Sequence, residues 1–466
     1  MPLPRRAGTI LLLIGGLALV GWMGFALTYG VGGTGDDRAP AGAVEVAVFL
    51  PEPGDWDDVR EGVSACRRRG LIREVVERPD GISFRTERSG RRVRLSWVPG
   101  GGVVATRDRV TRLVGRPGGP AAVVGSNNTV LTAALAEALD QEVGRRGGRS
   151  ASGGAGPVLL VPWATSVKVD RPGAASVPLL GLYPGRTFRF CPNNRQEAAL
   201  VARVAADREG VPGGAVVVID GNDPYSRDLA AGFEAAMAET APEAKLVLRR
   251  LDLSGPGAIG PDDRPGPAEL AEADRIWRFA EEVPGDGPVW AVLPLQGTPA
   301  RRMIRALVDR SGPIGPRVLG RLQVLCGDGI GRTTLSELAG RCTLPVWCVS
   351  GSALPEDDAG AADELGGAQV LAEIVSAIAL VLDRPGEEVP DLAAALAAID
   401  LPADHPFAFG RSLAFDPSGE RRAADLGHVL AILPGQEGVL AFGPVSPGEV
   451  GRLREAGEIE GTLAHR

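Results

Sequence analysis

The chain has 466 residues, a formal net charge of -8 and 44% hydrophobic residues, which together indicate a globular protein with more than one domain. Its 58 acidic and 50 basic residues are spread without long blocks of one sign, which excludes a surface built to bind nucleic acid. Arginine supplies almost all of the positive charge, because Lys168 and Lys245 are the only lysines in the sequence.

The N-terminal region predicts attachment to a membrane. Arg5 and Arg6 end a short stub at 1–8 and precede an apolar run at 9–30, which is long enough to cross a bilayer as one transmembrane helix. A linker at 31–43 follows, and the positive-inside tendency places everything beyond the run in the periplasm or outside the cell. The run is longer than the apolar part of a signal peptide and no clear cleavage site follows it, so we expect an uncleaved anchor; secretion after cleavage is the alternative.

The cysteines and histidines do not form a metal-binding pattern. Five cysteines are an odd number for an oxidising compartment, so at least one stays unpaired, and none of them forms a C-x-x-C pair. The three histidines lie late in the chain and far apart. We therefore predict neither a metal site nor a cofactor.

Short β-rich runs alternate with helical stretches along most of the chain. Continuously apolar runs such as AVVVID at 215–220 and VWAVLPL at 289–295 are typical of strands buried on both faces. Amphipathic helices follow several runs, for example at 129–144 and 226–240. Regular alternation predicts parallel doubly wound sheets, and the runs are too many for one sheet.

The predicted fold class is therefore α/β, with two Rossmann-like doubly wound lobes, a ligand cleft between them and one transmembrane helix in front. The predicted boundaries are 44–190 plus 352–410 for the first lobe, 191–351 plus 411–445 for the second, and 446–466 for a C-terminal tail.

Polar residues follow two of the predicted first-lobe strands. Ligands of such sheets bind outside the carboxyl ends of the strands, where helices begin. Ser126 is the last residue of the run AAVVGS and Asn127 follows it, while Ala164 ends the run VLLVPWA and Thr165 and Ser166 follow it. Hydroxyls and free N–H groups at a helix N-terminus suit a carboxylate or phosphate, but capping of the following helix by Ser126 or Asn127 would also explain these residue types.

Two further candidates follow second-lobe strands. Tyr225 lies in a polar turn after AVVVID, and exposure to a cleft is favoured over a place in the core. Asp328 lies in a glycine-rich loop after RLQVL, where its carboxylate suits an ammonium group. The glycines at 327, 329 and 331 do not have the spacing of a dinucleotide fingerprint.

Enzyme signatures are missing from the sequence. There is no G-x-S-x-G elbow, P-loop or H-E-x-x-H motif. Ser126 could be combined with His405 or His428, but nothing in the sequence positions such a pair. We predict a binding protein rather than an enzyme and keep a Rossmann-like hydrolase as an alternative.

Taken together, these segments resemble the type I periplasmic binding proteins, especially the branched-chain amino-acid group of ABC-transporter substrate-binding proteins. The closest stretch is GNDPYSRDLAAGFEAAM at 221–237, and AAVVGSNNTVLTAALAEAL at 121–139 and VPWATS at 161–166 stand in the family's order. The Arg-rich segment at 67–96 departs from the family's usual pattern.

The resemblance implies a role for each candidate residue. Ser126 and Thr165 would hold an amino acid's carboxylate, with the backbone of Ala164 beside them. Tyr225 and Asp328 would close on its ammonium end, and Trp56, after the first strand, would pack a ring over the ligand. The implied partners are a small ligand, such as an amino acid, and an ABC-transporter permease or a membrane receptor. A sensory or scaffold module that has lost its ligand is the other alternative.

Overall fold

The computed structural model describes residues 42–50, 53–116, 118–147, 156–170, 175–251, 264–330, 332–339, 341–350, 368–384, 389–422, 428–434 and 439–442. The predicted anchor at 9–30, most of the linker and the tail at 446–466 lie outside these ranges. Within them, no helix combines the length and the apolar character needed to cross a membrane.

The described ranges contain two sheets flanked by helices. The strands are β1 (Val44–Leu50), β2 (Ile72–Arg78), β3 (Gly81–Thr86), β4 (Arg92–Pro99), β5 (Ala122–Gly125), β6 (Val158–Val161), β7 (Lys168–Val169), β8 (Val177–Pro178), β9 (Thr187–Arg189), β10 (Gly214–Asp220), β11 (Lys245–Leu251), β12 (Val289–Leu293), β13 (Leu322–Cys326), β14 (Val346–Ser350), β15 (Asp400–Leu401), β16 (Leu413–Ala414), β17 (His428–Ile432) and β18 (Leu440–Phe442). The α-helices are α1 (Pro53–Arg68), α2 (Val103–Gly115), α3 (Thr129–Arg145), α4 (Asn194–Glu209), α5 (Pro224–Thr240), α6 (Pro267–Glu282), α7 (Gly297–Asp309), α8 (Pro316–Leu319), α9 (Arg332–Leu338), α10 (Ala368–Leu382) and α11 (Leu392–Ala397).

The first sheet has the strand order β2-β3-β4-β1-β5-β6-β9. Its centre is parallel: β1 pairs with β4 and β5, and β6 pairs with β5 and β9. All seven residues of β1 are buried, as a strand covered on both faces requires. The Arg-rich segment forms the antiparallel hairpin β2–β3 at the edge, where exposed charged side chains protect an unpaired strand.

The second sheet has the order β11-β10-β12-β13-β14-β17-β18. β10 to β14 are parallel, whereas β17 and β18 run antiparallel to their neighbours. The two α/β lobes are thus confirmed, but the prediction of purely parallel sheets was incomplete: each parallel centre has antiparallel strands at one edge. These strands were not predicted from apolar runs, because the hairpin β2–β3 is rich in charged residues and β18 is short.

Helix α10 returns the chain to the first lobe, where it packs against α1. A Cβ at Gly62 would lie 2.8 Å from Ala372 N, so only glycine allows the two helices to approach this closely. Leu413 and Phe415 also lie in the first-lobe core. The chain therefore does not enter the second lobe at 411, as predicted. It does so later, because the next described strand, β17, pairs with β14 of the second sheet.

Candidate functional site

Three side chains of the second lobe meet where β13 ends, and we call them the acid cluster: Glu197, Tyr225 and Asp328. Tyr225 Oη donates to Asp328 Oδ1 at 2.8 Å and accepts from Gly329 N–H at 3.1 Å. Glu197 Oε2 accepts from Asp328 N–H at 3.2 Å. The structure thus brings together both second-lobe residues singled out by sequence and adds a second acid. The expectation that Tyr225 is exposed to a cleft was wrong, because the residue is 5% exposed and its ring lies in a second-lobe core.

Helix caps set the positions of Tyr225 and Glu197. Asp223 caps α5 by accepting from Tyr225 N–H at 3.0 Å, with Pro224 as the first helical residue. Asn193 and Gln196 form a capping box at the start of α4, directly before Glu197. Sequence reasoning missed Glu197; an acid on the buried face of α4, next to Ala198, is the signal that could have found it.

The glycines around Asp328 leave space for the acid cluster. A Cβ at Gly327 would lie 2.5 Å from Leu229 Cδ2 and 2.7 Å from Tyr225 Oη, and one at Gly329 would lie 2.7 Å from Leu295 O. Such distances are shorter than real Cβ contacts, so the approach of Tyr225 to Asp328 requires glycine at 327.

The first-lobe hydroxyls lie at the ends of β5 and β6. Thr129 Oγ1 donates to Ser166 Oγ at 3.0 Å and so joins the two loops. Ser126 N–H donates to Thr132 Oγ1 at 3.1 Å, while the buried Ser126 Oγ has no hydrogen-bond partner. The two predicted loops are therefore in contact, and one of their hydroxyls is uncommitted.

The cap of α3 is Asn128, which corrects the expectation that Ser126 or Asn127 caps this helix. Asn128 has an extended backbone directly before the first helical residue, and its Oδ1 accepts from Leu131 N–H at 2.9 Å. Its Nδ2 donates to Asn127 Oδ1 at 3.3 Å. Ser126 is therefore not needed to cap the helix.

Arg189 fixes the loop that contains Ala164, Thr165 and Ser166. This fully buried arginine donates from Nη1 to Thr165 O at 2.9 Å and from Nη2 to Ser166 O at 2.7 Å. All three loop residues are buried, with Ala164 and Ser166 completely so. Arg189 could not be singled out from the sequence, because its partners Thr165 and Ser166 lie in a loop that becomes its neighbour only in the fold.

Trp56 lies in the first-lobe core. It shares a helix face with Val59 and Val63, is 2% exposed, and stacks on Trp97 with ring centroids 6.1 Å apart. Spacing by three and seven residues along α1 directs this face to the sheet, so the ring packs against the core instead of lying over an open site.

Polar contacts also join the two lobes next to these loops. Asp228, one turn after Tyr225 in α5, accepts from Val167 N–H at 2.7 Å and from Lys168 N–H at 3.3 Å. Asn194 N–H, at the start of α4, donates to Thr165 O at 2.8 Å. The carboxyl edges of both sheets therefore border one junction, with the first-lobe hydroxyls on one side and the acid cluster on the other.

No protein-family model matches the sequence, and no curated protein does either. Solved structures do match. The ABC-transporter substrate-binding protein of Desulfitobacterium hafniense in complex with leucine has a TM-score of 0.57 and 15% identity, with 85% of this chain and 100% of that chain covered. The leucine-, isoleucine-, valine-, threonine- and alanine-binding protein of Brucella ovis, in its closed conformation, has a TM-score of 0.59 and 14% identity, with 87% and 97% covered.

A third match is the solute-binding protein of an ABC transporter from Rhodopseudomonas palustris HaA2 in complex with p-hydroxybenzoic acid, with a TM-score of 0.55 and 13% identity over 86% of this chain and 98% of that one. This chain has the type I periplasmic-binding fold. The fold predicted by the resemblance is thereby confirmed. Ligands of open α/β sheets bind outside the carboxyl ends of the strands, and the acid cluster and the hydroxyl loops lie at these ends.

In this binding-protein fold the acid cluster holds its protons unusually tightly. Burial raises the pKa of Glu197 well above its ordinary value, and the charge of Asp328 raises it further. Burial also raises the pKa of Asp328, against the opposing effect of hydrogen bonds from Tyr225 and Glu197. The pKa of Tyr225 is raised well above its usual range by burial and by both acids. Both acids of the cluster therefore hold a proton more readily than an isolated carboxyl group does.

Several buried polar atoms at the junction have no hydrogen-bond partner. Besides Ser126 Oγ, they include Asn194 Oδ1 and Glu197 Oε1, on two residues that are both fully buried in α4. An unsatisfied buried polar atom costs about 1–3 kcal/mol, so such atoms mark a place where a ligand or water supplies the missing bonds.

Ser126 also lines a pocket of about 10 Å³, which is room for one water molecule. The other lining residues are Phe49, Gly100, Gly101, Thr106, Leu131 and Leu135. Within the described ranges, no group of three His, Cys, Asp or Glu side chains could hold a metal ion.

Proposed function

We propose that this protein is an extracytoplasmic solute-binding protein that closes its two lobes around a small polar ligand with a cationic end. The observation that carries the proposal is the acid cluster, in which Asp328 and Glu197 lie together at the strand ends of a type I binding fold and Glu197 Oε1 has no hydrogen-bond partner. The bound solute would be passed to an ABC-transporter permease or read by a membrane receptor.

The two sides of the junction suit opposite charges. On the first-lobe side, Ser126 Oγ is uncommitted, and the Ser166 hydroxyl contacts Thr129 at the N-terminus of α3, where a helix favours an anion. On the second-lobe side, Asp328 offers a carboxylate. An amino acid would match both, with its carboxylate toward the first lobe and its ammonium group toward the second.

The ligands of the structural neighbours narrow the choice of solutes. One neighbour holds leucine, which has an ammonium group, and another holds p-hydroxybenzoic acid, which has none. A buried acid would repel or fail to satisfy a purely anionic ligand, so the acid cluster favours the first kind.

A ligand-free sensory or scaffold module is the second candidate. It is favoured by the size of the pocket at Ser126, which holds no more than a water, and by the contacts of Asp228 across the lobe junction. A serine hydrolase has less support, because Ser126 Oγ has no hydrogen-bond partner and therefore no base to activate it.

A thermal-shift screen of the full chain tests the proposed function. The amine-bearing set is the common L-amino acids with ethanolamine and putrescine; the amine-free set is 4-methylpentanoate, benzoate and p-hydroxybenzoate. A true ligand at 100 times its Kd adds about 2.7 kcal/mol to the free energy of unfolding, which gives a clear shift. We expect at least one compound to stabilise the chain. If none does, the protein is better explained as a ligand-free sensory or scaffold module.

A further inference from the structure

Glu197 has no structural role that requires its charge. It is completely buried, and the one contact of its carboxyl with the backbone is Oε2 with Asp328 N–H, at 3.2 Å. Arg189, the nearby arginine, forms its ion pair with Glu420 at 3.6 Å instead, and Glu197 Oε1 has no hydrogen-bond partner. A glutamine would hold the Asp328 loop equally well, because its amide oxygen can accept the same hydrogen bond.

The position of Glu197 explains what a second acid could do. It lies in the first turn of α4, one turn after Asn194, which contacts the first lobe. Its carboxyl lies within hydrogen-bonding reach of the Asp328 side chain, so a proton on Glu197 can be shared between the two acids. A cation next to Asp328 would therefore also be next to Glu197.

We infer that Glu197 and Asp328 form one cation receptor, in which Glu197 releases its proton when the cationic group of the ligand binds. This inference rests on the proposed function and adds one property to it: binding of the ligand's cationic group is coupled to the release of a proton by Glu197. In the free protein the pair shares a proton and has about one negative charge. In the complex the ligand's cation replaces that proton, which passes to solvent.

The groups around Glu197 are compatible with this exchange. Asp328 and Tyr225 face it from the second-lobe loop and from α5, Arg189 acts on it from β9, and the thiols of Cys191 and Cys348 lie within range of its charge. Arg189 lowers the pKa of Glu197 but does so less than burial and Asp328 raise it. Arg189 is also committed to the carbonyls of Thr165 and Ser166, so it is held in place by other partners.

The sign of the pH dependence follows from the proton released. Because the free Glu197 holds its proton and the complex favours the carboxylate, affinity rises with pH up to the pKa of Glu197 in the free protein. One released proton corresponds to about a tenfold change in Kd per pH unit. Above that pKa, affinity is constant until the amine of the ligand itself loses its proton.

Calorimetric titration of the full chain tests the inference. The probe is the tightest-binding amine-bearing compound of the thermal-shift set, titrated at several pH values in two buffers of different ionisation enthalpy, which together count the protons released. Glu197→Gln keeps the acceptor for Asp328 N–H but cannot titrate. Glu239→Gln makes the same side-chain change at an exposed site on α5 and is the matched control.

We expect the wild type and Glu239→Gln to release up to one proton and to show the rise in affinity with pH, and Glu197→Gln to lose both. If Glu197→Gln releases as many protons as the wild type, the inference fails while the proposed function stands. If only amine-free solutes bind, the inference also fails and the protein is a binding protein of another ligand class. If nothing binds, the proposed function fails and the inference falls with it.

Discussion

Asp328 supplies the carboxylate that we propose binds the cationic group of the ligand. Its carboxylate accepts from the Tyr225 hydroxyl at 2.8 Å, and the residue as a whole is half-buried. A carboxylate with one strong donor keeps lone pairs for further donors, since it can accept about four hydrogen bonds. An ammonium group would supply those donors together with a balancing charge.

We expect Asp328→Ala to weaken binding of an amine-bearing ligand by about tenfold to more than a hundredfold. The reason is that a hydrogen bond to a charged group contributes about 1.5–3 kcal/mol, and the buried ammonium would lose its counterion. Calorimetric titration measures Kd, and the circular dichroism spectrum checks that the fold is kept. Equal affinity in the variant would show that the ligand binds elsewhere.

Gly327→Ala should disrupt the acid cluster. The new methyl group would overlap Leu229 and the Tyr225 hydroxyl at 2.5 and 2.7 Å, so Tyr225 has to leave Asp328. Overpacking of this kind costs about 1–3 kcal/mol of stability, measured by urea denaturation. Gly312→Ala is the control, because a Cβ there meets nothing within 4 Å. An unchanged variant would mean that the loop adapts and that the cluster does not depend on glycine.

Sequence reasoning found the residues at strand ends and missed those defined by packing. Tyr225 and Asp328 could be predicted, because the carboxyl ends of parallel strands meet at one edge of a sheet. Glu197 and Arg189 could not, since their partners lie 131 and 24 residues away and depend on how α4 and β9 pack. Trp56 was misplaced because a residue that follows a strand can point to the core as well as to a cleft.

At the scale of elements, a buried ion triad fixes helix α10 to the segment around β16. Arg411 binds Glu373 with two hydrogen bonds, at 2.8 and 2.6 Å, and Arg421 forms a second ion pair with the same carboxylate. Arg421 also donates to Phe190 O at 3.0 Å, beside the point where the chain crosses to the second lobe. Burial lowers the pKa of Arg421, so Glu373 is needed to hold its charge inside the lobe.

Glu373→Ala should lower the free energy of unfolding of the first lobe by about 3–5 kcal/mol, because two guanidinium groups would be left buried without a counterion. Urea denaturation of the full chain provides the measurement. Glu281→Ala removes an exposed carboxylate from α6 and should change stability by less than about 0.5 kcal/mol. Equal stability of the two variants would mean that water or other groups neutralise the arginines.

The ion triad of α10 could not be predicted from the sequence, although the apolar composition of the helix is sufficient to predict that it is buried. Arg411 and Arg421 lie 38 and 48 residues farther along the chain, beyond any helical or strand spacing that links residues in a sequence. The hairpin β2–β3 was also missed, because its many charged residues obscure the alternation of apolar and polar residues that marks a half-exposed edge strand.

At the scale of the whole molecule, the two-lobed architecture followed from the number of apolar strand runs. The boundary predicted at 411, where the chain was expected to enter the second lobe, was wrong. The segment from 411 to 422 consists of short polar stretches, and only packing decides which lobe it joins. Leu413 and Phe415 settle it by burying their side chains in the first-lobe core. Local sequence patterns therefore predict helices and strands well, but they are a poor guide to the lobe that a short segment joins.

The apolar run at 9–30 leads to a prediction about where the protein is located in the cell. If the apolar run at 9–30 is an uncleaved anchor, the native protein stays with the membrane fraction through high-salt and carbonate washes. N-terminal sequencing of that fraction should then read from the start of the chain. A soluble protein whose sequence begins beyond about residue 30 would instead indicate a cleaved signal peptide.

Native mass spectrometry of the full chain, purified without denaturation and incubated with the amine-bearing compounds, tests the central claim most directly. The claim predicts an added mass of one small molecule that leaves at moderate collision energy and is absent from Asp328→Ala. A wild-type chain that shows only its own mass, both as purified and after incubation, would contradict the claim that the two lobes enclose a cationic solute.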